Sequence, residues 1–168
     1  MIVIGIDPGT ALTGYGIVEE TQAGQLQAIE YGAIETSSNL TLEKRLQRIN
    51  QTLNQLLVLH RPESGAVEKL FFQRNVRTAM SVGQARGVVL LALAEAGIDV
   101  AEYSPMEVKQ AVTGYGGADK NQVQQMVRTL LSLDAIPQPD DVADALAVAI
   151  CHINSNRWAR IIQERKGQ

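Results

Sequence analysis

The sequence predicts an α/β domain with a five-stranded mixed sheet, three antiparallel meander strands and two parallel strands, flanked by helices. Three observations carry this expectation. Strand-like segments crowd the first 36 residues, helical periodicity begins only afterwards, and from there helical and strand-like segments alternate. Strands separated by crossover helices run parallel, which puts the first strand centrally, beside the fourth.

Taken in order, 2–6 is a short apolar run ending at Asp-Pro-Gly-Thr, a buried strand entering a turn. Segments 15–19 and 27–36 are strand-like and joined by a polar turn at Gly24, which completes the meander. Leu42, Leu46, Ile49, Leu53, Leu56 and Leu57 recur at helical spacing, so 40–59 is an amphipathic helix, stopped by Pro62. Residues 65–71 are a strand, 76–96 a helix capped by Gly97, and 98–103 the fifth strand. Helices follow at 105–112, 120–133 and 141–162, with Trp158 helping the last one cover the domain. One domain spans 1–162, and 163–168 form a polar tail.

Composition narrows the class. With 45% hydrophobic but only 4% aromatic residues, the core is aliphatic. No apolar run is long enough for a membrane span, and the acidic start of the chain does not fit a signal peptide. A lone cysteine, Cys151, makes no internal disulfide, and a cytoplasmic setting is expected. Net charge is −3, yet 69–94 carries Lys69, Arg74, Arg77 and Arg86 without an acid. This basic middle fits nucleic-acid contact and fits solvated helix faces equally well.

Four carboxylates stand out. Asp7 ends the first strand, where sites in open α/β sheets gather. Glu68 lies inside an apolar strand, where a carboxylate is costly unless paired or metal-bound. Asp140 reads as an N-cap after Pro139, and Asp141 and Asp144, three apart, share a helix face. Singly, each has a bland reading as turn former, strand-face acid or helix-dipole partner. Jointly they make a divalent-cation site the better account, since clustered like charges need cations. Cys151, His60 and His152 read as structural.

The chain resembles the RuvC-type Holliday junction resolvases of the ribonuclease H-like superfamily. The resemblance rests on Gly-Ile-Asp-Pro-Gly-Thr at 5–10, Thr-Gly-Tyr-Gly at 13–16, Val-Glu-Lys-Leu-Phe at 67–71 and Gly-Gln-Ala-Arg-Gly at 83–87. It continues, in collinear order, through 108–123, 126–131 and Asp-Val-Ala-Asp-Ala-Leu-Ala at 141–147. It implies a ribonuclease H-like fold and a homodimeric endonuclease that cuts four-way DNA junctions by paired symmetric nicks, in recombination and repair. It implies Asp7, Glu68, Asp141 and Asp144 as catalytic acids holding two Mg2+ ions, with Mn2+ as substitute. It further implies Lys109 and Lys120 as basic residues near the site, Phe71 as the aromatic residue at the crossover, a dimer contact on the helix bearing Gly83 and Gly87, and the branch-migration machinery as partner. Arg74 and Arg77 are further candidates for phosphate contact. Thr10 stands where Ser is frequent, and Phe72 follows Phe71, so the stacking residue is ambiguous. Two other classes remain open. Gly-Ile-Asp-Pro-Gly-Thr also resembles the first phosphate loop of actin-like and sugar-kinase ATPases, which need two such subdomains. A non-catalytic junction-binding module is the other, and retention of all four acids speaks against it.

Overall fold

The computed structural model describes residues 1–69 and 76–166, without the side chains of 76–78, 160, 161 and 163–166. Strands β1 (Ile2–Asp7), β2 (Leu12–Glu20) and β3 (Leu26–Glu35) are followed by helix α1 (Leu42–His60) and strand β4 (Ser64–Glu68). Helix α2 (Val76–Glu95), strand β5 (Val100–Tyr103) and helices α3 (Pro105–Thr113), α4 (Lys120–Leu130) and α5 (Asp140–Lys166) complete the order. The sheet runs β3-β2-β1-β4-β5, with β1–β2 and β2–β3 antiparallel and β1–β4 and β4–β5 parallel. The central first strand and the mixed sheet are as expected.

Alternation along the strands divides the core in two. Ile4, Ile6, Ile17 and Val67 pack against α1 and α2, with Ile49, Leu53, Ala85 and Val89. Val3, Val18 and Ala66 pack on the other face against α3, α4 and α5. Asp7 continues the parity of Val3, and Glu68 that of Ala66, so both strand ends turn toward the α5 face. Small residues bring α5 close. A methyl group added at Gly5 would lie 2.2 Å from the Ala145 carbonyl oxygen, and one at Gly14 would lie 2.0 Å from that of Asp141. Both are impossible contacts, so the absence of side chains at 5 and 14 sets the helix-to-sheet distance.

Several boundaries differ from the sequence reading. Strand β2 begins at Leu12, because the antiparallel register with β1 continues to the Asp7–Gly14 pair. Strand β4 ends at Glu68, not 71. Helix α4 stops at Leu130 because the chain turns at Ser132, which takes a positive φ of 52°. Helix α5 continues to Lys166, since the polar residues after 162 are good helix formers. Trp158 does not cover the domain: it is two-thirds exposed (66%). Among the described residues, no helix is long and apolar enough to cross a membrane.

Candidate metal centre

The site forms where two strand ends meet the first turns of α5. Asp7 comes from β1 and Glu68 from the neighbouring parallel β4, whose register with β1 runs from Val3–Ser64 to Ile6–Val67. Asp141 and Asp144 come from α5, held against β2 at Gly14. Lys120, the first residue of α4, reaches across to α5, its Nζ 3.2 Å from Asp144 Oδ2 and 3.1 Å from Asp140 Oδ2. Capping by Asp119, which accepts from the Gln122 amide, starts α4 at Lys120. Helix α3 starts at Pro105 behind a capping box between Ser104 and Glu107. Beside these acids lies a cavity of about 240 Å³ whose lining includes Glu68, Asp144, Lys109 and Lys120.

Electrostatics bind these groups into one unit. Burial pushes the Asp7 carboxyl up from 3.8 to about 7, with Asp144, Glu68 and Asp141 adding repulsion and Lys120 offering partial relief. Burial also raises Glu68, as does Asp144, against the lowering pull of Lys109 and Lys120. Asp144 is raised by burial, partly offset by Lys120. For Lys120, burial works downward but the hydrogen bonds and charges of Asp140 and Asp144 win, and its ammonium is raised. The donor set is oxygen only, which suits a hard divalent cation rather than zinc. Among the described residues, no three His, Cys, Asp or Glu side chains already converge as ligands. The Lys120 ammonium rests against Asp144, one of the four carboxylates.

Residues 3–152 match the model of the family Crossover junction endodeoxyribonuclease RuvC. The chain belongs to that family. A crossover junction endodeoxyribonuclease RuvC from Heliobacterium modesticaldum is 58% identical over 158 residues, 94% of this chain and 97% of the relative. Another from a Roseiflexus species is 55% identical, over 96% of this chain and 95% of its own. Among solved structures, Thermus thermophilus RuvC in complex with a Holliday junction substrate superimposes with a TM-score of 0.90 at 41% identity, covering 95% of this chain and 96% of the other. The fold is ribonuclease H-like, and the protein is a metal-dependent nuclease, as its family is. Membership sets aside the ATPase reading of the motif at 5–10 and the non-catalytic one.

Not every residue singled out in the sequence is gathered here. Phe71, Phe72 and Arg74 lie outside the described residues, and Arg77 lies in α2 with its side chain outside them. Arg86 does not belong to a basic face. Its side chain is only 11% exposed, pairing at 2.7 Å with Glu102 and donating at 2.8 Å to the Glu68 carbonyl. A largely desolvated guanidinium needs such partners, and the strand ends supply them. Asp140 is not the N-cap but the first residue of α5, bound to Lys120 and, at 3.0 Å, to Gln124 Nε2. A nearby ammonium outbids a backbone amide for this carboxylate. The capping signature was the only signal at that position, so its role as a partner of Lys120 escaped the sequence reading. Gly83 and Gly87 face open space, because the packing face of α2 is formed by Ala85, Val89, Ala92 and Leu93. His152 is buried in a network with Tyr103, Ser64 and Asn156, and His60 pairs with Glu30.

Proposed function

We propose that Asp7, Glu68, Asp141 and Asp144 are the catalytic, metal-holding acids with which this endonuclease resolves four-way DNA junctions. The electrostatic coupling of Asp7 on β1 to Glu68 on β4 and to Asp141 and Asp144 on α5, beside a cavity lined by Glu68, Asp144, Lys109 and Lys120, supports the reading most directly. Asp7, Glu68, Asp141 and Asp144 would hold two Mg2+ ions, for which Mn2+ can substitute and which would supply Lewis-acid activation for phosphodiester hydrolysis. Asp7, most disfavoured as an isolated anion, gains most from sharing its charge with a cation. Lys109 and Lys120 neutralise the scissile or adjacent phosphates, which positions the strand without reading bases. Phe71 stacks on a base at the opened crossover, and Arg74 and Arg77 hold flanking phosphates. Cuts leave 5′-phosphate and 3′-hydroxyl ends.

The active species in this reading is a homodimer. Helix α2 presents Met80 (68% exposed), Gly83, Gly87 and Leu91 (54% exposed) along one face turned away from its own core. Small residues flanked by apolar ones suit close approach of a second α2, and a dimer axis gives paired, symmetric nicks. The nuclease unit is residues 1–162, the setting cytoplasmic, and the partner the branch-migration machinery of recombination. The test is a synthetic mobile four-way junction in Mg2+ with cut sites mapped on all strands. Paired cuts in strands of like polarity, absent with linear duplex, with EDTA and with Asp144→Asn, are expected. Comparable cleavage by Asp144→Asn would remove that residue from the centre.

A further inference from the structure

We infer that Arg86 is a positioning residue for the centre: it holds the carbonyl end of β4 and thereby aims Glu68 (this rests on reading Glu68 as a metal ligand). The register between β1 and β4 stops at Ile6–Val67, one residue short of Glu68, so β1 does not fix this backbone. On the other side the ladder ends with Glu68–Tyr103 and the hydrogen bond from Lys69 N to Tyr103 O. Arg86 closes this gap. Nη1 donates to the Glu68 carbonyl oxygen at 2.8 Å, and Nη2 pairs with Glu102 Oε1 on β5 at 2.7 Å. A charge-assisted fork fixes direction as well as distance.

The guanidinium is itself held firmly. Its neighbours Ala85 and Val89 are fully buried, which anchors this turn of α2 in the core. One turn earlier, Thr10 Oγ1 donates to the Ser81 carbonyl at 2.6 Å and ties α2 to the loop after β1, the strand of Asp7. Helix α2 is therefore bonded both to the end of β4 and to the loop that follows β1. Arg86 is far too occupied to serve as a phosphate anchor, although its charge in an acid-free stretch invites that reading.

The experiment measures Mn2+ binding by calorimetry on the intact, junction-free protein, beside junction affinity in EDTA and steady-state cleavage. Arg86→Met should weaken Mn2+ binding about 10- to 100-fold, the usual loss when a ligand's support is removed. Junction affinity should stay within about twofold, and kcat should fall with KM little changed. Arg86→Lys, keeping one donor, should recover part of the loss. Glu102→Gln, at a half-exposed position that tolerates change, keeps the bond to Glu68 and should shift Mn2+ affinity in the same direction by a smaller factor. It carries the test if Arg86→Met fails to fold. Wild-type Mn2+ affinity in these variants, or equal losses of junction affinity and cleavage, would overturn the inference. Glu68→Gln separates the two layers. If it binds Mn2+ normally, the ligand assignment fails; if it does not while Arg86→Met does, only the role of Arg86 fails.

Discussion

Replacing Asp7 with Asn removes a charge from a place where the metal-free protein disfavours it. In the unfolded chain this carboxyl titrates near 3.8, and in the folded protein burial and three neighbouring acids hold it up to about 7. The folded state thus keeps the proton longer. The penalty is absent below 3.8, grows between 3.8 and 7, and is complete above 7. The gap between the two values corresponds to about 4 kcal/mol at pH 8 and about 1.5 kcal/mol at pH 5. Asn keeps the shape and never ionises, so in EDTA at pH 8 the variant should melt higher than the parent. At about 2–4 °C per kcal/mol, the gain is roughly 8 °C and at most about 16 °C. The gain should shrink to about a third at pH 5. Saturating Mg2+ should reverse the order, because only the parent gains ligand-linked stability. Thermal unfolding of both proteins at two pH values, with and without metal, tests all of this. A variant no more stable than the parent in EDTA at pH 8, or a gain independent of pH, would refute the electrostatic account of the site.

Gly14→Ala should cost about 1–3 kcal/mol by overpacking, since its methyl group would meet the Asp141 carbonyl at 2.0 Å. Cleavage should fall on the order of 100-fold as the helix is displaced by a fraction of its contact distance, measured beside the melting temperature. Lys120→Met should separate stability from catalysis. Its ion pairs are half-exposed and screened by solvent, so the melting point should drop by only a few degrees. Cleavage should fall about 100- to 1000-fold with junction affinity less affected, and equal losses in both would reassign Lys120 to simple anchoring.

Much of the molecule is legible in the sequence because its signals are local. Leucine spacing along α1, the apolar run of β1 ending at Asp-Pro-Gly, and the glycine that closes α2 each act within a few residues. Glu68 stood out because an acid in an apolar strand violates a local rule. What escaped depends on partners far along the chain. Arg86 counts as one more surface cation until β4 and β5 close around it. Asp140 sits at a helix start either way, and only the arrival of Lys120 from α4 decides what its carboxylate does. Trp158 reads as a core residue by its type, yet the face of α5 that carries it lies at the solvent edge.

Asp7 and the pair Asp141 and Asp144 lie far apart in the sequence and are brought together by the packing of α5 on β1 and β2. The acids therefore depend on a long-range contact, not on any local segment. In the proposed reading the site therefore exists only when α5 has docked on the meander, so any change that loosens that contact acts on the acids as a set.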